Sequence, residues 1–339
     1  IEPDVAGLTV VVGANGSGKT SLLEAVGYAS TLRSFRGVPR ESLVRSGATA
    51  AEIICGLREG SRRGDICIEI VPGRRDRASH NGRRVETTRR LVEALRTTLF
   101  TPDDLVLVKG SPSGRRDFLD DLLEATSAEA GAARIELERV LRHRNALLRQ
   151  ARGRLGGAEG LSLDVWDERL ALVGSRVARA RARLIGELAP CCAAAFAAIT
   201  QGAGVLELSY ETSFGDDLLT AVRAAREEDL RRQVTTVGPQ RDELWIRAGG
   251  LDARTRLSQG RQRCAALALR LGSHRYVAGV TGVVPVLLLD DAFSELDADT
   301  GRRLLEELPE GQALLTTAGP IPTAASPSAV IRLYDGAVL

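Results

Sequence analysis

The alternation of apolar and polar positions divides the chain into three stretches. Leu8 to Val12 is a short β-branched run, the pattern of a buried strand. Gly13 to Gly18 break it, and Thr20 to Ala29 reads as a helix. Glu52 to Leu57 and Ile66 to Val71 are further strand-like runs, with a turn at Asn81-Gly82. Phe100 ends a strand and Pro102 stops it. From about Asp117 the spacing becomes helical. Glu129 to Gln150 is rich in Ala, Leu, Arg and Glu, and Gly153, Gly156, Gly157 and Gly160 predict a flexible break. Trp166, Leu170, Val173, Val177, Ala180, Leu184 and Leu188 then recur in steps of four and three, the seam of an antiparallel helical hairpin. An ordinary amphipathic helix on a domain core gives the same pattern. After about Gln233 strands return: Glu243 to Arg247 with a Gly249-Gly250 turn, the apolar run Val286 to Leu289, and Ala313 to Thr316. A four-residue apolar run suits a central parallel strand covered on both faces.

The predicted class is therefore α/β with an inserted α-helical lobe. Residues 1–118 and 236–339 form the two parts of one nucleotide-binding lobe, and residues 119–235 form a helical arm. A length of 339 residues suits about two domains, and 44% hydrophobic residues supply an ordinary core. The net charge of +2 is too small to argue for nucleic-acid binding. The arginines are unevenly spread: Arg33, Arg36, Arg40 and Arg45; then Arg74, Arg75, Arg77, Arg83, Arg84, Arg89 and Arg90; then Arg139, Arg142, Arg144, Arg149, Arg152 and Arg154. Each cluster is either a solvated face or a contact for phosphates. Cys55, Cys67, Cys191, Cys192 and Cys264 show no metal spacing, so reduced thiols in a cytoplasmic protein are expected. The apolar stretch Cys191 to Ile199 is too short to span a bilayer, and no membrane association is expected. The chain begins at Ile1 and contains no Met, so the native start is expected to lie upstream. Lys19 and Lys109 are its only lysines.

Lys19 lies in Gly13-Ala14-Asn15-Gly16-Ser17-Gly18-Lys19-Thr20, a GxxxxGK[ST] pattern between strand and helix. Glycines let backbone N–H groups turn around phosphate oxygens, and the following helix points its positive end at them. Lys19 would reach the β and γ phosphates of ATP, and Thr20, with Ser21 beside it, would ligate Mg2+. The run Val286 to Leu289 ends in Asp290-Asp291. Asp290 would hold the metal through water, and Asp291 would orient or deprotonate the attacking water. The catalytic candidates are thus Lys19, Asp290 and Asp291, and the metal candidates Thr20 and Asp290.

Most of the chain separates these two motifs. Leu257-Ser258-Gln259-Gly260-Arg261-Gln262-Arg263 precedes the second, and Ser294-Glu295-Leu296-Asp297 follows it. This order resembles the ABC-type ATPases: P-loop, LSGGQ-like signature, acidic strand end, D-loop. The resemblance implies that Ser258, Gln259 and Gly260 bind the nucleotide of a second copy, giving an ATP-dependent homodimer.

Within that class the chain is similar to the RecF family. The carrying segments are Val12 to Ala25; Phe100-Thr101-Pro102-Asp103-Asp104-Leu105 with Val108-Lys109-Gly110; Arg115-Arg116-Asp117-Phe118-Leu119-Asp120; Arg144-Asn145-Ala146-Leu147-Leu148-Arg149; Trp166-Asp167; Gly238-Pro239-Gln240-Arg241-Asp242-Glu243-Leu244; Ser258-Gln259-Gly260; and Leu288-Leu289-Asp290-Asp291. The resemblance implies an ATPase of DNA repair, replication restart and the SOS response. It implies binding to single-stranded and gapped duplex DNA, work with RecR- and RecO-like mediators, help in loading RecA, and slow hydrolysis that serves as a dimer switch. Gln240 stands where the family usually has His, and Arg261 where it has Gln. Thr317 occupies the place of a switch histidine, and Thr101-Pro102-Asp103 that of a Q-loop. An SMC-type structural clamp would need hundreds of heptad residues, and a transporter motor a Q-loop and switch histidine. Lys109 and Arg115-Arg116 are candidates for contact with DNA or a partner head, or a solvated capping loop.

Overall fold

The computed structural model describes residues 2–3, 6–151 and 157–338. Along the chain, β1 (Gly7–Val12) leads into α1 (Lys19–Thr31). Strands β2 (Ala51–Glu59), β3 (Arg62–Ile70), β4 (Arg77–His80) and β5 (Arg83–Arg84) follow, then α2 (Thr88–Ala94) and β6 (Thr97–Phe100). Next come α3 (Leu105–Lys109), α4 (Pro112–Thr126), α5 (Ala128–Gln150) and α6 (Gly157–Thr200). Strand β7 (Leu206–Glu211), helices α7 (Leu218–Ala224) and α8 (Arg226–Arg232), strands β8 (Glu243–Ala248) and β9 (Leu251–Asp252), and helices α9 (Ala253–Arg256) and α10 (Gln259–Thr281) come after. The chain closes with β10 (Val286–Asp290), α11 (Ala298–Glu306), β11 (Gln312–Thr317), β12 (Ala329–Tyr334) and β13 (Ala337–Val338).

Two compact units share these elements. The first comprises Ile1–Asp104, Ala198–Gln201 and Leu269–Leu339. Its six-stranded sheet has the order β13-β12-β1-β11-β10-β6. Strand β1 is parallel to β11 on one side and β12 on the other, with Val10 opposite Leu315 and Val330. Val10 and Val11 are fully buried, as a β-branched strand central to a parallel sheet should be. Helix α1 lays Leu23 on Leu288 and Leu314 of the sheet; burying such a leucine is worth about 1.5–3 kcal/mol. The opposite edge of α1 places Tyr28 and Ala29 against Ile66, Ile68 and Ile70 of the antiparallel sheet β2-β3-β4-β5. Asn81 and Gly82, at φ 51° and 71°, turn β4 into β5.

The second unit comprises Leu105–Ala197 and Gly202–Ala268. Leu170, Val173 and Val177 of α6 pack with Ala133, Leu137 and Val140 of α5 and Leu218 and Val222 of α7, so the heptad-like spacing does mark a helical seam. A three-stranded antiparallel sheet, β7-β8-β9, completes the unit.

The structure departs from expectation in several places. Helical backbone begins at Leu105 and Pro112, ahead of Asp117, because Ser111-Pro112 opens α4 with proline at the position that needs no N–H. The signature segment and β8, assigned by sequence to the C-terminal part of the ATPase lobe, cluster with the helical unit. Gly153 and Gly156, with Arg152 and Arg154, lie outside the described residues; Gly157 and Gly160 are helical. Continuity of α6 also alters the membrane argument. Ser162–Thr200 is one helix long and apolar enough to cross a bilayer by length and composition. Leu184, Leu188, Cys192, Ala195, Phe196 and Ile199 along it are buried in the fold.

Candidate nucleotide site

Strand β1 delivers the loop Gly13 to Thr20 at its C-terminal end, and α1 begins inside it. Gly16 and Gly18 take φ 83° and 96°, a region that only glycine enters without strain. Gly13 is required for a different reason: a Cβ there would lie 2.4 Å from Ser17 Oγ and 2.6 Å from the Leu333 carbonyl. Ser17 N–H donates to the Ala14 carbonyl at 3.1 Å, and Gly336 N–H donates to the Ser17 carbonyl at 3.0 Å. Lys19 is 7% exposed, and its Nζ donates to the Gly13 and Ala14 carbonyls at 2.8 and 2.9 Å. Its ammonium is thus folded over the loop's own concave side. The first turn of α1 carries no acidic residue of its own, which leaves its positive end to charges brought from elsewhere in the fold.

Strand β10 brings the second motif to the same sheet edge. Thr20 Oγ1 donates to Asp290 Oδ1 at 3.0 Å across 270 residues of sequence. Asp290 is 7% exposed and takes a second hydrogen bond from Thr316 Oγ1 at 2.7 Å. Thr316 in turn accepts from the Asp291 N–H at 3.0 Å. Asp291 is held at φ 48°, an uncommon conformation for a residue other than glycine. Ser294 N–H and Oγ both donate to its carbonyl.

The donor set suits a polyphosphate with magnesium. Ser17 Oγ is buried without a hydrogen-bond partner among the described residues, a donor left over for an incoming oxygen. A hydroxyl and one carboxylate oxygen 3.0 Å apart are hard ligands of the type magnesium takes. No group of three or more His, Cys, Asp or Glu is gathered as a metal site among the described residues, so such an ion would complete its shell with phosphate and water. Ser21 follows Thr20 in α1 with its side chain exposed.

Ser258, Gln259 and Gly260 lie in the second unit and are all exposed. Ser258 stands at the N-terminus of α10, where its Oγ accepts from Arg261 N–H at 3.4 Å. Buried Gln262 locks α9 beneath it through hydrogen bonds of 2.9 and 3.0 Å to the Ala253 and Arg254 carbonyls. Arg261 donates to the Ala203 carbonyl, so in this chain it is a tie within its own unit.

Other expected contacts resolve into structure. Asp104 closes the turn around Pro102: its side chain accepts from Thr101 N–H at 2.9 Å, its own N–H donates to the Thr101 carbonyl at 3.1 Å, and it also pairs with Arg270 at 2.7 Å. Gly110 closes α3, since a Cβ there would meet the Val106 carbonyl at 2.4 Å. Lys109 is exposed beside it. Arg115 is buried in a bidentate pair with Glu243 at 2.8 and 3.0 Å, which removes it from the candidates for an external contact. Among the described residues the Thr317 hydroxyl bonds only to Gly319, in a local turn. Thr316 carries no sequence signal beyond a polar residue amid apolar neighbours, while Gln262 and buried Glu24, which ties Ser34 and Arg36 to α1, lie within the motif segments with nothing local to announce their ties.

Comparison with known proteins places this arrangement. Residues 2–317 match the RecF/RecN/SMC N terminal domain family. The DNA replication and repair protein RecF of Kineococcus radiotolerans is 40% identical, over 92% of this chain and 87% of that one. The chain belongs to the RecF family. RecF of Streptomyces avermitilis is 41% identical over the same shares. A solved structure of the recombination mediator protein RecF-ATP in the RecFOR pathway is 28% identical, with a TM-score of 0.90 over 99% of this chain and 91% of that one. RecF is thus matched in both sequence and architecture. An Smc head domain of Pyrococcus furiosus with an extended coiled coil, 18% identical with a TM-score of 0.55, shares the ABC ATPase fold alone.

Proposed function

We propose that this RecF-family chain binds ATP and Mg2+ between the Gly13 to Thr20 loop and Asp290-Asp291, and that ATP closes a homodimer on DNA. The observation that carries this is the Thr20–Asp290 hydrogen bond at 3.0 Å, which joins the two motifs at one sheet edge. Backbone N–H groups of the loop and Lys19 bind the phosphates. Bound magnesium would neutralise charge on the β and γ phosphates. Thr20 and Asp290 hold it, and Asp291 orients the attacking water. Exposed Ser258 and the start of α10 close the nucleotide of the second copy. Pairing the two heads through nucleotide makes association follow ATP by mass action.

Family membership supports the wider reading. The chain binds single-stranded and gapped duplex DNA, works with RecO- and RecR-like mediators, and helps load RecA during repair, replication restart and the SOS response in the cytoplasm. Hydrolysis is slow and resets the dimer. The short arm, with α5 of 23 residues and α6 of 44, argues against an SMC-type clamp. Sedimentation with and without ATP, in the presence of a gapped duplex, tests nucleotide, dimer and DNA together. An unchanged monomer fraction near the dimer constant would remove the proposal.

A further inference from the structure

The turn over residues 238–242 is held more firmly than a surface turn requires. Gly238 enters it at φ 127°. Ser213 Oγ donates to the Gly238 carbonyl at 2.9 Å and accepts its N–H at 3.0 Å. Arg181 donates to the Pro239 carbonyl at 2.8 Å, and Arg116 to the Asp242 carbonyl at 2.9 Å. Asp242, buried, accepts from Ser213 N–H at 2.8 Å and from Tyr210 Oη at 2.5 Å. Gln240 folds back on the Val237 carbonyl at 3.0 Å. Arg241 is left: exposed, with no ion pair or hydrogen bond to its guanidinium among the described residues.

Charge in this region is layered. The inner carboxylates are engaged, Asp120 by Arg181 at 2.8 and 2.9 Å and Glu243 by Arg115. Asp242 takes neutral donors and is held above the usual carboxylate range chiefly by burial. The outer guanidiniums are crowded. Burial chiefly lowers the proton affinity of Arg116, Arg181 adds to this and Arg241 adds less, while Glu243 and exposed Asp117 offset part of it. Two cations therefore stand near one fixed turn, one of them without a partner among the described residues, a combination that suits an oxyanion. The frame fixes the backbone from which Arg241 projects, so ordering on binding is confined to its side chain.

We propose that Arg241, projecting from this fixed turn with Arg116 nearby, is a phosphate contact that grips the backbone of bound nucleic acid. The source of the phosphate rests on the DNA reading above; the site itself rests on the turn. The test is fluorescence anisotropy of a labelled gapped duplex with the full chain, from 50 to 200 mM salt, on wild type, Arg241→Gln, Asp117→Asn and an α8 control, Arg231→Gln. Binding of ATP alone is measured in parallel. Each phosphate contact contributes about 0.9 to the slope of log affinity against log salt. Arg241→Gln should lower that slope by about one, so that its deficit narrows about 3.5-fold across the range. Asp117→Asn should bind more tightly, while the control, ATP affinity and Tm stay unchanged. Wild-type binding that Arg241→Gln leaves intact would overturn the site. So would loss of ATP binding alone, which would assign the cations to nucleotide. A wild type that binds no DNA would overturn the DNA reading as well, and that failure is visible before any variant is compared.

Discussion

Thr316 tests whether the Asp290-Asp291 corner is built as described. Its hydroxyl donates to Asp290 Oδ1 at 2.7 Å and accepts from Asp291 N–H at 3.0 Å, and the residue is 1% exposed. Thr316→Val keeps the volume and suits a strand, so packing should change little. It removes one hydrogen bond to a carboxylate, worth about 1.5–3 kcal/mol, and strands a backbone N–H at a cost of about 1–3 kcal/mol. Water reaches half-exposed Asp291 in part, so the expected loss is about 2–4 kcal/mol. The next residue supplies the control. Among the described residues the Thr317 hydroxyl bonds only within its turn, at 3.1 and 3.4 Å, and Thr317→Val should stay within about 0.5 kcal/mol. Urea unfolding of both variants, followed by near-ultraviolet circular dichroism and by tryptophan fluorescence, gives the comparison. ATP affinity should also fall for Thr316→Val, since Asp290 loses an orienting partner. Equal stability of the two variants would refute the reasoning, because it would mean that the hydroxyl bridges nothing that matters in solution.

Other outcomes follow from named contacts. Arg144 is fully buried between Asp167 and Asp229, both at 2.7 Å, so Arg144→Met leaves two carboxylates undercompensated and should cost about 3–5 kcal/mol by denaturant unfolding. His274 donates or accepts at Thr98 Oγ1 at 3.1 Å and is pushed down to about 4 from 6.5 by burial, so the fold favours its neutral form. That stability is complete above pH 6.5 and declines as pH falls toward 4; His274→Gln should flatten this part of the urea-midpoint profile. Lys19→Met should weaken ATP binding more than tenfold in equilibrium dialysis, because the charge folded over the loop is gone. Ser258→Arg should keep ATP binding by the single chain and abolish the ATP-driven shift in sedimentation; dimers in that variant would displace Ser258 from the interface.

What could be seen in the sequence follows from where the signal is local. The loop Gly13 to Thr20 imposes its own conformation, and the run Val286 to Leu289 must be buried on both faces, so both elements were legible residue by residue. The seam of α6 was legible because its period persists over many turns. Strands β7 and β12 were not. Leu206–Glu211 alternates regularly in residue type and in burial but is a short run beside a helical stretch, where six residues of alternation are a weak signal; Ala329–Tyr334 exposes apolar Val330 and Tyr334, so its residue types show no clean alternation. The FTPDD segment illustrates a different limit. Its residue types identify the family, yet their physical work is to cap a helical turn and pair with Arg270, a partner 166 positions away that no local pattern announces. Thr316 escaped for the same reason: a threonine in a strand looks like any other until Asp290 is placed beside it.

The position of β1 in its sheet sets the order of events during synthesis. It is made long before both of its neighbours, β11 and β12, which come from about 300 residues further along the chain. At about 5–20 residues per second, the ribosome needs roughly 15–60 s to supply the 300 or so residues between them. Throughout that interval Val10 and Val11 lack the strands that bury them, and the loop they support cannot assemble. A message truncated before Thr316 would yield chains that carry an intact Lys19 and no nucleotide site. Newborn chains of this kind should therefore depend on chaperones for their first minute, and incomplete ones should be cleared by proteolysis before they can compete for DNA.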